Sequence, residues 1–375
     1  MNKKLLSVAI GAALTLPVIA QADVTVYGKA QVEVAGTKID ATSAAGVKTE
    51  GKGKTNVTDQ NQGTLGVKAS EDLGGGLSAI AKFEFVVNTA GDSSTGSGAN
   101  LQNTTTQVNG ADTGQAQTVN IGRGDREDFV GLESKSLGTL RLGRMNSPYK
   151  LTGVALDPFV ATTLQARGNG GMSAGDAALN GHSSGYVNNG IVYNSPKFAG
   201  IGIDVYASPD NTDNTQGDVS LGLTAAFGPV SLFVVRNTDK NANGSTVGNK
   251  GYDATATKFG GKVALGGAGN IVFQLESIDT GATGAGNATD YTFVGYNISI
   301  GSLMPVVELG TKSVDVDATN AGGSEKDTSL LVLGVRYNLS KNTSLFGGLR
   351  TTNRENRDGS KSDTTVHTAG LRMDF

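Results

Sequence analysis

The chain has 375 residues, with 31 basic and 34 acidic side chains, two histidines and no cysteine. Zinc, haem and thiol chemistry are left almost without ligands, and the mild acidic excess argues against nucleic acid, which calls for a clustered basic face. Fifty-five glycines, seven prolines and a hydrophobic fraction of 37%, with no second long apolar run, exclude a helical membrane protein and are lean for a large soluble core.

The first element is an export signal. Lys3 and Lys4 precede an apolar stretch from Leu5 to Ala20, and Ala20-Gln21-Ala22 gives a small-x-small cleavage pattern. The stretch is shorter than the ~20 residues of a spanning helix. Residues 1–22 are expected to be removed, leaving one domain over 23–375. The mature chain would lack cysteine in an oxidising compartment, so it needs another closure, and a sheet sealed on itself supplies one.

From Val24 onward the pattern has period two, the strand period. Val24, Val26, Gly28, Ala30, Val32 and Val34 alternate with Thr25, Tyr27, Lys29, Gln31 and Glu33. The same alternation returns in Leu77, Ala79, Ala81, Phe83 and Phe85 against Ser78, Ile80, Lys82 and Glu84. It returns again in Ile271, Phe273 and Leu275 against Gln274 and Glu276, and in Leu331, Leu333, Val335 and Tyr337 against Gly334, Arg336 and Asn338.

Roughly sixteen such segments are predicted, an even number suited to a closed antiparallel barrel. In chain order they are Val24–Ala35, Gly63–Glu71, Gly76–Asn88, Thr118–Glu133, Gly138–Arg144, Tyr186–Asn194, Gly200–Ala207 and Val219–Ala226. Val230–Asn237, Ala254–Leu265, Asn270–Ile278, Thr289–Ser299, Ser302–Gly310, Thr328–Leu339, Thr343–Arg350 and Thr364–Phe375 complete the set. Connections such as Ser134–Leu137, Phe227–Pro229 and Ser340–Asn342 are short. Thr37–Gln62, Thr89–Gln117, Asn146–Gly185, Thr238–Asp253 and Thr351–Asp363 are long and polar. Short turns at one end and long loops at the other match an outer-membrane barrel, whose strands show one face to lipid and one to water.

Six blocks in order then resemble the Gram-negative general porins along essentially the whole mature chain. They are Val24-Thr25-Val26-Tyr27-Gly28-Lys29, Leu65-Gly66-Val67-Lys68 with Glu71 to Leu77, Phe129-Val130-Gly131-Leu132, Leu137 to Arg144, Tyr193 to Gly200, and Gly370 to Phe375. The resemblance implies an all-β fold: a sixteen-stranded antiparallel transmembrane β-barrel whose third long loop, Asn146–Gly185, folds inward. It implies a homotrimer in outer-membrane lipid that passes ions and small hydrophilic solutes by diffusion. It also implies basic wall residues facing acidic loop residues at the constriction. Lys29 and Arg126 fall on matching positions of the first and fourth strands, Lys68 and Arg141 lie on inward faces by parity, and Asp157 is the loop acid. Thr64 and Tyr186 stand where the family often has arginine.

No catalytic, cofactor-binding or metal-binding residue is assigned. Gly181-His182-Ser183-Ser184-Gly185 matches the nucleophile-elbow form but lacks the strand-turn-helix context. Two rival readings remain: a substrate-selective channel built on the same wall, and a secreted β-rich adhesin.

Overall fold

The computed structural model describes residues 22–60, 62–90, 126–167, 186–209, 218–239, 253–279, 288–315 and 325–375. Among them one antiparallel sheet runs through β1 (Asp23–Thr42), β2 (Lys48–Thr49), β3 (Lys54–Thr58), β4 (Gly63–Gly74), β5 (Leu77–Val87) and β6 (Asp128–Ser134). It continues in β7 (Gly138–Asn146), β8 (Tyr186–Asn194), β9 (Ile201–Ala207), β10 (Val219–Phe227), β11 (Val230–Asp239) and β12 (Ala254–Ala264). The last six strands are β13 (Asn270–Asp279), β14 (Ala288–Asn297), β15 (Leu303–Asp315), β16 (Glu325–Asn338), β17 (Thr343–Asn356) and β18 (Lys361–Asp374). Pairing of β1 with β18 closes the sheet into a barrel of sixteen wall strands. The short β2 and β3 lie against the upper part of β1.

The polarity is that of a soluble protein turned inside out. Val26 is 61% exposed while Glu33, on the other face of the same strand, is 1% exposed; Leu275 at 51% is followed along β13 by a buried Glu276. An apolar outside and a polar inside are stable only where lipid meets the outside. Closure matters for the same reason: in the hydrocarbon each unpaired backbone group costs several kcal/mol, so the sheet can have no open edge.

The structure extends several predicted segments. The region from Thr37, expected as loop, continues β1 to Thr42, because β18 pairs with it as far as Lys361 and β3 pairs with Glu33–Thr37. Thr351–Asp363 is likewise mostly strand, with a turn at 357–360 joining β17 to β18. Polar, Thr-rich sequence forms strand here, with Ile39 and Ala41 the only apolar residues of the Thr37–Thr42 extension and none in Thr351–Asn356. The fourth segment begins at Asp128, and its expected start at 118–125 lies outside the described residues. So do residues 1–21 of the signal and His182.

Candidate functional site: the loop after β7 and the basic wall

Leaving β7, the chain enters a helix, α1 (Pro148–Val154). Ser147 accepts a hydrogen bond from the Lys150 N–H and proline occupies the first turn, the usual way to start a helix. The segment 147–167 then touches strands far around the barrel from β7. The Tyr149 hydroxyl donates to Glu276 on β13 at 2.5 Å, and Lys258 on β12 donates to the Tyr149 carbonyl at 3.1 Å. Gln31 on β1 donates to the Ala161 carbonyl, and Glu33 accepts from both the N–H and the hydroxyl of Thr163. Arg336 on β16 donates to the Pro158 carbonyl at 3.3 Å.

Apolar packing joins these bonds. Tyr149, Leu156, Phe159, Leu164 and Ala166 form one buried cluster with wall residues that include Phe233, Val272, Phe293, Leu330, Val332 and Phe346. The segment is therefore held to the inward face by an apolar patch and by polar side chains around it.

Asp157 is 3% exposed. Its carboxylate accepts from the N–H groups of Phe159 at 2.7 Å, Ala166 at 2.9 Å and Arg167 at 3.4 Å. Burial pushes its carboxyl above the ordinary range, while these N–H groups and the Arg167 charge pull it down. Asp157 thus holds the turn of the loop together, and its carboxyl also meets that of Glu308 on β15. Asp157→Asn removes charge-assisted acceptors, each worth about 1.5–3 kcal/mol. Residues 158–166 should then be cut faster by added protease, with the barrel still compact in unheated detergent gels.

The basic candidates separate into two groups. Arg126 is buried, donates to the Tyr186 hydroxyl and to Gln62 at 3.1 Å each, and lies 3.8 Å from Glu84. Lys29 is half-buried and interacts electrostatically with Arg372, Arg126, Asp374 and Glu84. Lys68 is exposed on the inward face, 5.9 Å from the centre of the Tyr27 ring, whose hydroxyl donates to Glu84. These three share one neighbourhood. Arg141 stands apart: it donates to Asn194 at 2.5 Å and lies over Phe129.

The two positions without arginine have their own chemistry. Tyr186 presents its ring to Lys150 at 3.7 Å and to Arg144 at 5.3 Å, so it gathers cations where an arginine would have been one. Thr64 is buried and donates to the Gln62 carbonyl.

Sequence reasoning missed the Lys82–Glu127 pair at 2.5 Å, and it assigned no pore role to Arg372 or to Arg336, although alternation had put Arg336 on the polar face of its strand. Arg336 is electrostatically coupled to Arg372, and Arg372 to Lys29. Arg336, Arg372, Lys29 and Arg126 therefore form a basic arc across β16, β18, β1 and the residues leading into β6. Parity of β16 and β18 was the available signal.

Comparison with known proteins adds four findings. A family model described as Gram-negative porin matches residues 7–357. The major outer membrane protein P.IB of Neisseria lactamica is 26% identical over the full length of both chains. That of Neisseria gonorrhoeae is 29% identical over 60% of this chain and 53% of its own. Among solved structures, the anion-selective porin from Comamonas acidovorans superposes with a TM-score of 0.67 at 21% identity, covering 95% of this chain and all of its own.

Proposed function

This chain belongs to the Gram-negative porins and forms a water-filled outer-membrane channel for passive diffusion of ions and small hydrophilic solutes, and on that premise we propose that segment 147–167 narrows the channel and that the basic arc makes it favour small anions. Family and fold point to a channel rather than an enzyme. The observation that carries the narrowing is the set of bonds from this one segment to β1, β12, β13 and β16, which a loop outside the barrel could not reach. The preference for anions is supported by Lys29, Arg126, Arg336 and Arg372 gathering on one stretch of wall, four bases against the Asp374 and Glu84 carboxylates beside them.

Charged side chains at a narrow aqueous constriction raise the local concentration of the opposite ion. In planar bilayers under a tenfold salt gradient, an ideally selective pore would read about 59 mV. The Lys29→Glu, Arg126→Glu double variant should move the reversal potential toward the cation side by a resolvable fraction of that limit. No movement would remove these two residues from the constriction.

Assembly as a homotrimer is part of the same reading. It is supported by small outward residues on β1, β4, β5 and β18, among them Ala30, Ala69, Ala79, Ala81 and Ala369, which let barrel walls approach closely. Export with loss of residues 1–22 is the matching expectation for the N-terminus. A channel with a binding site for one solute remains the second reading, favoured by the polar, partly enclosed wall around Glu84 and Lys82.

A further inference from the structure

Four polar side chains on the inward face of β10 and β11 make a closed patch away from the basic arc. Ser220 and Asn237 are direct partners across the two strands; Val219 pairs with Thr238, which brings Asp218 beside Asp239. The two carboxyls share a hydrogen bond, and Asp253 adds a third negative charge beside Asp239. Ser220 and Asn237 are 0% exposed and Asp239 is 2% exposed. Tyr206 of β9, also buried, pairs with Ser220, and α1 packs against β9, β10 and β11. Val235, Ala254 and Ala256 flank the patch with apolar surface.

Within this patch the Ser220 hydroxyl, both amide atoms of Asn237 and one Asp239 carboxyl oxygen find no hydrogen-bond partner in the protein. Buried polar groups are nearly always satisfied, and buried carboxylates persist when they are paired or hold a cation. Two adjacent carboxyls repel when both are charged, so they must share a proton or hold a cation, and here they sit beside an amide and a hydroxyl without a hydrogen-bond partner in the protein. Among the described residues no three acidic or imidazole side chains gather around a metal-sized space. The patch offers instead two carboxylates completed by neutral oxygens. An all-oxygen set drawn from two carboxyls, an amide and a hydroxyl suits Ca²⁺, which accepts flexible oxygen coordination, better than Mg²⁺, which demands an octahedron.

We propose that Asp218, Asp239, Asn237 and Ser220 bind one calcium ion inside the barrel wall. The ion joins β10 to β11 under α1 and cancels two negative charges on the inner surface of an anion-favouring channel. With so few charged ligands its affinity belongs to the weak class, with a Kd of about 10⁻⁴–10⁻³ M.

The test uses the full-length protein folded in detergent, titrated with Tb³⁺ and then competed with Ca²⁺. The chain has no tryptophan, so sensitised Tb³⁺ emission reports nearby tyrosine, and Tyr206 adjoins the patch. Saturable emission that Ca²⁺ displaces is expected. Asp239→Asn should weaken it at least tenfold and Asn237→Ala severalfold, while Asp363→Asn on the outer rim leaves it unchanged. Asn237→Ala and Ser220→Ala keep the question open to measurement if Asp239→Asn fails to give the heat-modifiable folded form. Emission that Ca²⁺ does not displace, or equal affinity in the wild type and all three patch variants, overturns the site. Absence of any saturable emission does so too, and leaves a proton shared between the two carboxyls as the occupant.

Discussion

The Phe159→Ala, Leu164→Ala double variant should give a channel of clearly larger unit conductance with noisier open states, in a barrel that still migrates compactly when unheated. Both side chains are buried in the cluster that holds segment 147–167 to the wall. Phe159 lies against Gly334 on β16, and Leu164 approaches Gly348 on β17. Truncations of this kind cost about 3–5 kcal/mol for phenylalanine and about 2–5 kcal/mol for leucine. The hydrogen bonds from Gln31, Glu33 and Arg336 offset little of that, at about 1 kcal/mol each for neutral pairs and somewhat more for charged ones. The segment should therefore leave the wall while the wall itself, stabilised by its backbone ladder, stays closed. Unit conductance equal to that of the wild type would mean that the segment is not what limits flow.

Gly28→Val should prevent stable closure. The backbone N–H and carbonyl of Gly28 pair with the carbonyl and N–H of Phe375 at 2.8 and 2.9 Å, at the seam where the first strand meets the last. A Cβ at residue 28 would run into the Phe375 ring and into the Thr64 carbonyl at 2.7 Å. Overpacking alone costs about 1–3 kcal/mol. At a seam it also threatens the ladder, and each backbone group freed into lipid costs several kcal/mol more. We expect little or no heat-modifiable folded form after refolding in detergent. Gly28→Ala should be milder and partly restored by Phe375→Leu, which removes the ring but leaves the Thr64 carbonyl in place. Normal folding of Gly28→Val would show that the seam has slack the geometry denies.

The barrel could be read from the sequence because its wall is governed by one local rule, alternation between lipid and water. That rule held along most of β1 and β5 and in the Phe273–Glu276 stretch of β13, and it failed where inward Ile80, Val272 and Ile278 are apolar. It gave Tyr186–Asn194 with the bounds the structure has, and came within a residue or two for most other strands. It weakened in Thr37–Thr42, where only Ile39 and Ala41 are apolar, and in Thr351–Asn356, where no residue is, and both still pair as strands.

The site was harder to read, for a physical reason. What places segment 147–167 is contact with residues 100 or more positions away in the chain, such as Gln31 and Arg336, and no local period encodes such pairings. One trace was nonetheless present. Leu232-Phe233-Val234-Val235 and Leu330-Leu331-Val332-Leu333 break the alternation with continuous apolar runs, the mark of strands covered on both faces. Lipid covers one face and the loop segment covers the other. Asp157 shows the opposite limit: an acid in a long polar loop reads as a solvated charge, and only the fold reveals that backbone N–H groups surround it.

The central claim is a water-filled passage through a closed barrel, and the most direct measurement is the unit conductance of the wild-type protein in planar bilayers across a series of KCl concentrations. Discrete steps that grow in proportion to the conductivity of the bathing salt are the predicted result. Failure to insert and give steps would contradict the channel itself, and steps that saturate at low salt would contradict free diffusion in favour of a binding site for ions along the path.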